Sequence, residues 1–336
     1  MEKNEKKYNI AVVGATGVVG STFLKVLAEY KMPIKELFLF ASHKSAGKVI
    51  NYEGKDVVVR ELTEESFKGL GIEIALFSAG GSVALEYAPK FAAEGILVVD
   101  NSSAFRKDPN LPLVVPEVNA FDIRNHGIIA NPNCSTIQSV VPLKALDEKY
   151  GLKRVVYNSY QAVSGSGMKG IKDLENTKKG EDNAFYPYKI AETCIPEIDS
   201  FLESGYTKEE MKMVDETRKM LHKPDLLVSA TCIRVPVPNG HGVSIMAELE
   251  NEFELDEVRE LFRNYPGLKL VDDPFNHIYP TSTMANGNDL IYVGRIRKDL
   301  SCKNGILFYT VGDNIRKGAA SNAVQIAKYV IDHKML

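Results

Sequence analysis

Four short, nearly continuous apolar runs occupy the first hundred residues, at 9–13, 37–40, 74–78 and 97–100. Runs that are apolar at every position suit strands of a parallel sheet covered on both faces. Helical spacing intervenes: Phe23, Leu24, Val26 and Leu27 follow the first run, and a helix near 83–94 precedes the fourth. A further buried strand ends at Gly127-Ile128-Ile129-Ala130, after which Ile137, Val140, Val141, Leu143, Ala145 and Leu146 return to helical spacing. Past residue 150 the strand signals lengthen and alternate, at 154–163, 226–237, 243–249, 290–296 and 306–311, as in a mixed or antiparallel sheet. Helical patterns at 208–221 and 255–265 interrupt them, and the tail from 318 to 336 carries an apolar stripe of Ala323, Ile326, Ala327, Val330 and Ile331. The pattern predicts an α/β domain followed by an α+β domain, with no internal repeat and no low-complexity linker.

Composition narrows the class. With 336 residues the chain has room for two domains, and 44% hydrophobic with 25% charged residues is ordinary for a globular protein. The formal charge is 41 − 44 = −3 with no basic block, which argues against nucleic acid as a partner. The charged start, Met1-Glu2-Lys3-Asn4-Glu5-Lys6-Lys7, runs straight into a strand, and no leader or spanning segment is read, so a cytoplasmic protein without a membrane partner is expected. Cysteines 134, 194, 232 and 302 are scattered without a C-x-x-C or a Cys/His cluster, so neither a disulfide framework nor a metal site is expected. The run Lys178-Lys179-Gly180-Glu181-Asp182-Asn183 reads as an exposed loop tip.

The first run leads into Gly14-Ala15-Thr16-Gly17-Val18-Val19-Gly20 and then a helix, the context in which a glycine turn can hold a pyrophosphate on a helix N-terminus. The spacing G-x-x-G-x-x-G departs from the commoner G-x-G-x-x-G. After the second run, where NAD enzymes place a carboxylate for the ribose 2′-hydroxyl, the chain reads Ala41-Ser42-His43-Lys44-Ser45-Ala46-Gly47-Lys48. Hydroxyls and cations there suit a 2′-phosphate, so the reading is NADP; the same residues would also serve as a plain solvated loop. Ser78-Ala79-Gly80-Gly81 and Asn101-Ser102-Ser103 follow strand ends, with Arg106 just beyond as a candidate anion ligand.

Candidate chemistry centres on Asn131-Pro132-Asn133-Cys134-Ser135-Thr136, which hands a buried strand over to a helix. Asn133 or Ser135 can cap that helix, and a thiol at its N-terminus feels the positive end of the helix dipole, which favours thiolate. A small buried cysteine filling space is the alternative. Three residues of the second half can serve Cys134: Gln161, ending a strand before the glycine loop Val163-Ser164-Gly165-Ser166-Gly167; Arg234, ending another strand, whose planar fork suits a carboxylate; and His241, in the turn Asn239-Gly240-His241-Gly242, expected to be exposed and to act as acid or base. Taken singly, each also suits a structural role.

Taken together, the chain resembles the aspartate-β-semialdehyde dehydrogenase family along essentially its whole length. The marks are the glycine turn at 14–20, Ala41-Ser42-His43-Lys44-Ser45-Ala46-Gly47, Pro116-Glu117-Val118-Asn119, the Cys134 motif, Tyr160-Gln161-Ala162-Val163-Ser164-Gly165, Glu209-Glu210-Met211-Lys212, Arg234 with His241 seven residues later, and Val293-Gly294-Arg295-Ile296-Arg297. The resemblance implies a Rossmann-type NADP-binding domain (1–132 with 315–336) and a catalytic and dimerisation domain (133–314), with the last helix returning to the first domain. It implies NADPH-dependent reductive dephosphorylation of L-4-aspartyl phosphate to L-aspartate 4-semialdehyde, a step toward lysine, methionine and threonine, in a homodimer or a tetramer of dimers. Cys134 becomes the acyl-accepting nucleophile, Gln161 its orienting partner and His241 the acid/base. Arg234 binds the substrate carboxylate, Glu209 its amino group, and Arg106 and Lys212 the phosphate, with Asn133 nearby. Cofactor contacts are implied at Gly17, Val18, Val19, Gly20, Ser42, Ser45, Ser164, Gly165 and Asn314. The segment between Gly167 and Tyr186-Pro187 is shorter than in relatives that carry extra covering structure there.

Competing readings are an N-acetyl-γ-glutamyl-phosphate reductase, whose substrate lacks the free amino group Glu209 would recognise; a cysteine hydrolase or acyltransferase without hydride transfer; and a non-catalytic NADP-binding regulator. The glycine turn argues against the second, and the set of Cys134, Gln161, Arg234 and His241 against the third.

Overall fold

Seven strands form the first sheet: β1 (Tyr8–Val13), β2 (Ile34–Ala41), β3 (Val49–Tyr52), β4 (Lys55–Glu61), β5 (Ile74–Phe77), β6 (Leu97–Asp100) and β7 (Ile128–Ala130). Their order is β3-β4-β2-β1-β5-β6-β7, parallel throughout except for the β3/β4 hairpin. Helices α1 (Val18–Glu29), α2 (Gly81–Ala93) and the short α3 (Pro116–Asn119) belong to it. One sheet face packs Ile10, Val12, Leu39, Leu76 and Val99 against Phe23 and Leu27 of α1. From α2, Phe91 meets Phe40, Phe67 and Phe77 edge-on or stacked. Both strand faces therefore need apolar side chains, which is why these strands read as unbroken runs. This is a Rossmann-type α/β sheet.

The computed structural model describes residues 6–336, and it divides into one unit of Met1–Pro132 with Ala319–Leu336 and another of Asn133–Gly318. Met1 to Glu5 of the charged N-terminal stretch lie outside the described residues. The β3/β4 hairpin is absent from the sequence expectation. Its strands are mostly exposed, and their one apolar run, Val57-Val58-Val59, is only three residues long; the clearer signal was the turn itself, where Glu53 and Gly54 both take positive φ (47° and 83°).

The second unit begins with α4 (Cys134–Tyr150) and continues through β8 (Leu152–Gln161), α5 (Gly167–Lys178), α6 (Lys208–Met220), β9 (Leu227–Arg234), β10 (His241–Leu249), α7 (Leu255–Asn264), β11 (Leu268–Leu270), α8 (Ser282–Ala285), β12 (Ile291–Lys298) and β13 (Gly305–Gly312). The sheet order β11-β12-β13-β10-β8-β9 is mixed, with β8/β9 and β11/β12 parallel and the other pairs antiparallel. Helix α4 is buried around most of its circumference, so apolar and small polar residues share its surface. The expected glycine loop after Gln161 is ordered: Val163–Ser166 forms a 3₁₀ turn that leads directly into α5.

A π-helical turn, Arg316–Ala320, leads into α9 (Ser321–Asp332), whose Ala323, Ile326, Ala327 and Val330 complete the first unit's core. The chain rejoins that unit at Ala319 and not at 315. Residues 315–318 are tied to the second unit because Asp313 accepts the N–H groups of Ile315, Arg316 and Gly318, while Arg316 forks onto Asp289.

Candidate active site

In the first unit the glycine turn is built for close approach. Gly14 sits at φ +86°, and a Cβ there would fall 2.3 Å from the Ser78 carbonyl oxygen; one on Gly20 would fall 2.0 Å from the Gly14 oxygen. Gly17 caps α1 with no side-chain bond, and the first turn of α1 carries no acidic residue. Its N–H groups thus remain for an anion, as a dinucleotide pyrophosphate requires. Gly14 and Ala15 donate to the Phe40 carbonyl, and Thr16 Oγ1 reaches Ser45 Oγ at 3.3 Å, joining this turn to the loop after β2. Ser42 and Ser45 bracket a 3₁₀ turn there, in which exposed His43 pairs with Glu61 at 2.9 Å. The donor set fits a phosphorylated dinucleotide. Arg106, also of the first unit, donates from Nη2 to the Asn101 carbonyl at 2.9 Å.

In the second unit Cys134 opens α4 with Asn133 as its cap: the Asn133 side-chain oxygen accepts from Ser135 N (3.0 Å) and Thr136 N (3.3 Å). The thiol is partly exposed at the positive end of a 17-residue helix, a setting that stabilises an anion. Cys232 is the contrast. It lies 3.7 Å from the Met213 sulfur, and burial pushes its thiol far up.

His241 is the main departure from expectation. It is not an exposed turn residue but the first residue of β10, with no solvent exposure. The Ala162 N–H donates to His241 Nδ1 at 3.0 Å, and the Ala162 carbonyl accepts from Arg234 Nη1 at 2.7 Å. One residue, Ala162, next to Gln161, thus holds both through its backbone N–H and carbonyl. Since a peptide N–H only donates, Nδ1 is bare and the ring proton resides on Nε2. Burial, and then the Arg234 charge, hold the imidazole well below its usual pKa, so it is neutral at neutral pH. Neither His241 Nε2 nor Arg234 Nε has a protein partner, although both are buried. A Cβ on Gly165 would lie 3.0 Å from Arg234 Nη1 and 3.1 Å from His241 Nε2, so the missing side chain leaves both donors open on one side.

Glu209 links the other expected residues. Its Oε1 accepts from Asn133 Nδ2 (2.8 Å) and Gln161 Nε2 (3.1 Å), and its Oε2 from Lys212 Nζ (3.0 Å). Burial pushes this carboxyl up, but Lys212 and the two amides outweigh it and hold the group below its ordinary value. Lys212 also reaches Asp199 at 2.9 Å. Ser164, Asn239, Gly240 and Asn314 form a separate cluster: Asn314 Nδ2 donates to Ser164 Oγ (2.9 Å), Ser164 Oγ to Asn239, and the Gly240 N–H to Asn314 Oδ1.

Three contributors escape the sequence reading. Ala162 acts through its backbone, which no side-chain motif reveals. Gln138 donates to the His241 carbonyl at 3.1 Å; a long amide one turn beyond Cys134, among the buried residues of α4, was a legible signal. Gly318, in the π turn, lies so close that a Cβ on it would sit 2.8 Å from Cys134 Cβ. π turns often occur at functional sites. Among the described residues no group of three or more His, Cys, Asp and Glu could hold a metal, and no helix is long and apolar enough to cross a membrane.

Fold and cysteine site together define a two-domain semialdehyde dehydrogenase, and both halves match that class: residues 9–126 its NAD binding domain, residues 143–317 its dimerisation domain. The chain is 53% identical over 340 residues to the aspartate-semialdehyde dehydrogenase of Aquifex aeolicus, covering 98% of this chain and 99% of that one. The structure of aspartate semialdehyde dehydrogenase II complexed with ASA from Vibrio cholerae is 43% identical with a TM-score of 0.93, covering 98% and 99% of the two chains. That of aspartate semialdehyde dehydrogenase with NADP from Candida albicans is 25% identical with a TM-score of 0.79, covering 98% and 100%. The chain belongs to the aspartate-semialdehyde dehydrogenase family, as the sequence motifs led one to expect.

Proposed function

We propose that the protein catalyses NADPH-dependent reductive dephosphorylation of L-4-aspartyl phosphate to L-aspartate 4-semialdehyde through a thioacyl intermediate on Cys134. The observation that carries this reading is the Ala162 backbone, which holds a neutral His241 through its N–H and a buried Arg234 through its carbonyl beside Gln161, while Glu209 joins Gln161 to the cap of Cys134. Family membership and the relatives' named activity support it.

The Cys134 thiolate attacks the acyl-phosphate carbonyl, forming a C–S bond and an oxyanion. The oxyanion collapses, and phosphate leaves with the electron pair of the C–O bond. When bound, NADPH supplies a hydride to the thioester carbonyl carbon. A second oxyanion then collapses to the aldehyde and returns the pair to the Cys134 thiolate. His241 serves both oxyanions as an Nε2–H donor, the role its tautomer suits better than that of a base. Arg234 takes the α-carboxylate, and Glu209 with Gln161 the ammonium side of the substrate. Lys212 and Arg106 take the departing phosphate. Gly17, Val18, Val19 and Gly20 would hold the pyrophosphate, Ser42 and Ser45 the 2′-phosphate, and Ser164, Gly165 and Asn314 the reacting end of the cofactor.

A homodimer through the second unit belongs to the same reading. It is supported by the dimerisation-domain match and by exposed apolar residues there, Tyr160, Leu227 and Phe201 among them. A cytoplasmic location accords with four cysteines that form no disulfide. The test is phosphate-dependent NADP reduction with L-aspartate semialdehyde, run against the N-acetylglutamate semialdehyde analogue and against NAD. Preference for the analogue, or turnover without phosphate, would overturn the assignment.

A further inference from the structure

Gln138 lies one helical turn beyond Cys134 on α4 and is 1% exposed. Its amide nitrogen donates to the His241 carbonyl (3.1 Å) and to Thr310 Oγ1 (3.3 Å), so one side chain of α4 reaches both β10 and β13 where His241 faces Gly312 across the ladder. Its amide oxygen is buried without a partner. A Cβ on Gly312 would stand 3.0 Å from that oxygen, so the glycine spares the amide a tight contact that a side chain would bring.

An amide with a stranded acceptor is a poor choice for stability alone, since an apolar chain of similar size would leave no buried oxygen unpaired. The donor half is what the site uses. Ala162 fixes the His241 ring from one side through Nδ1, and Gln138 fixes its backbone from the other. We infer that Gln138 is a positioning residue for the reaction: it ties the backbone of His241 to the helix that begins at Cys134, and so sets the Nε2–H donor relative to the nucleophile. This rests on His241 being the oxyanion donor proposed above. Arg234 is held independently, by the Ala162 carbonyl, so substrate binding does not depend on Gln138.

A double-mutant cycle tests it. Gln138→Met keeps the volume and removes the donor; Gly312→Ala keeps the donor and pushes on it. Each is expected to lower kcat roughly 10- to 100-fold, as a displaced catalytic group does. KM for the semialdehyde, NADP affinity and the rate of Cys134 alkylation should stay at parental values. In a His241→Asn background, Gln138→Met should add no further loss, because its effect passes through His241. Parental kcat in Gln138→Met overturns the inference. So does an equal further loss in the His241→Asn background, or a fall in NADP affinity and alkylation along with kcat, each of which marks a general packing role. If His241→Asn itself keeps full kcat, the oxyanion-donor reading fails first, and that outcome is visible in the single variant.

Discussion

The Ala162 N–H donates to His241 Nδ1 at 3.0 Å, and this bond leaves the ring's one proton on the unpartnered Nε2. A histidine so held can donate a hydrogen bond but has no free lone pair to act as base. His241→Asn, which removes the Nε2 donor, should lower kcat about 10²–10³-fold with little change in KM, the range found when one oxyanion donor is lost. Steady-state kinetics checks this.

The same residue makes stability depend on pH. Its folded pKa lies well below the unfolded value of about 6.5, so below that pH the unfolded chain binds more protons than the native one. Stability contributed by neutral His241 is therefore present above about pH 6.5 and is lost as pH falls below it. Tm should decline between about pH 7 and 5.5, and His241→Asn should flatten the decline. The kcat profile should show no ascending limb near pH 6.5 that disappears in His241→Asn.

Gly165→Ala would place a Cβ 3.0 Å from Arg234 Nη1 and 3.1 Å from His241 Nε2. Its φ does not demand glycine, so the fold should tolerate the change while the reacting space does not. Expected is a loss of about 10²-fold in kcat/KM with Tm nearly unchanged. Thermal unfolding and kinetics on one preparation decide it.

Cofactor choice is tested at Ser45, which Thr16 ties to the glycine turn. Ser45→Glu sets a carboxylate against a 2′-phosphate, so NADPH turnover should fall at least tenfold more than NADH turnover, about 1.4 kcal/mol of differential repulsion. Equal loss with both cofactors would move the 2′-phosphate site elsewhere.

Much of this architecture was legible in the residues. The runs at 74–78 and 97–100 announced a sheet covered on both faces, and Asn133-Cys134 announced a capped helix start. Two kinds of feature were not legible. The β3/β4 hairpin lies at the end of the sheet with β3 as its edge and is mostly exposed, so burial marks its sequence only in the short run Val57-Val58-Val59. His241 looked exposed because glycines flank it, yet Gly242 is there to admit the Tyr309 ring, whose hydroxyl would lie 1.8 Å from a Cβ. Close packing and loop freedom both select glycine, and sequence alone does not separate them. The tautomer of His241 depends on a backbone N–H seventy-nine positions away in the chain, which no local pattern encodes.

The covalent intermediate on Cys134 is the central claim, and acyl capture tests it most directly. The protein is mixed with L-4-aspartyl phosphate in the absence of NADPH, quenched in acid and digested, and the Cys134 peptide is weighed by mass spectrometry. The account predicts release of one phosphate per site and a peptide heavier by an aspartyl group on Cys134, with neither in Cys134→Ala, which should still bind NADP. Phosphate release without a labelled Cys134 peptide, or hydride-dependent turnover in Cys134→Ala, would contradict it.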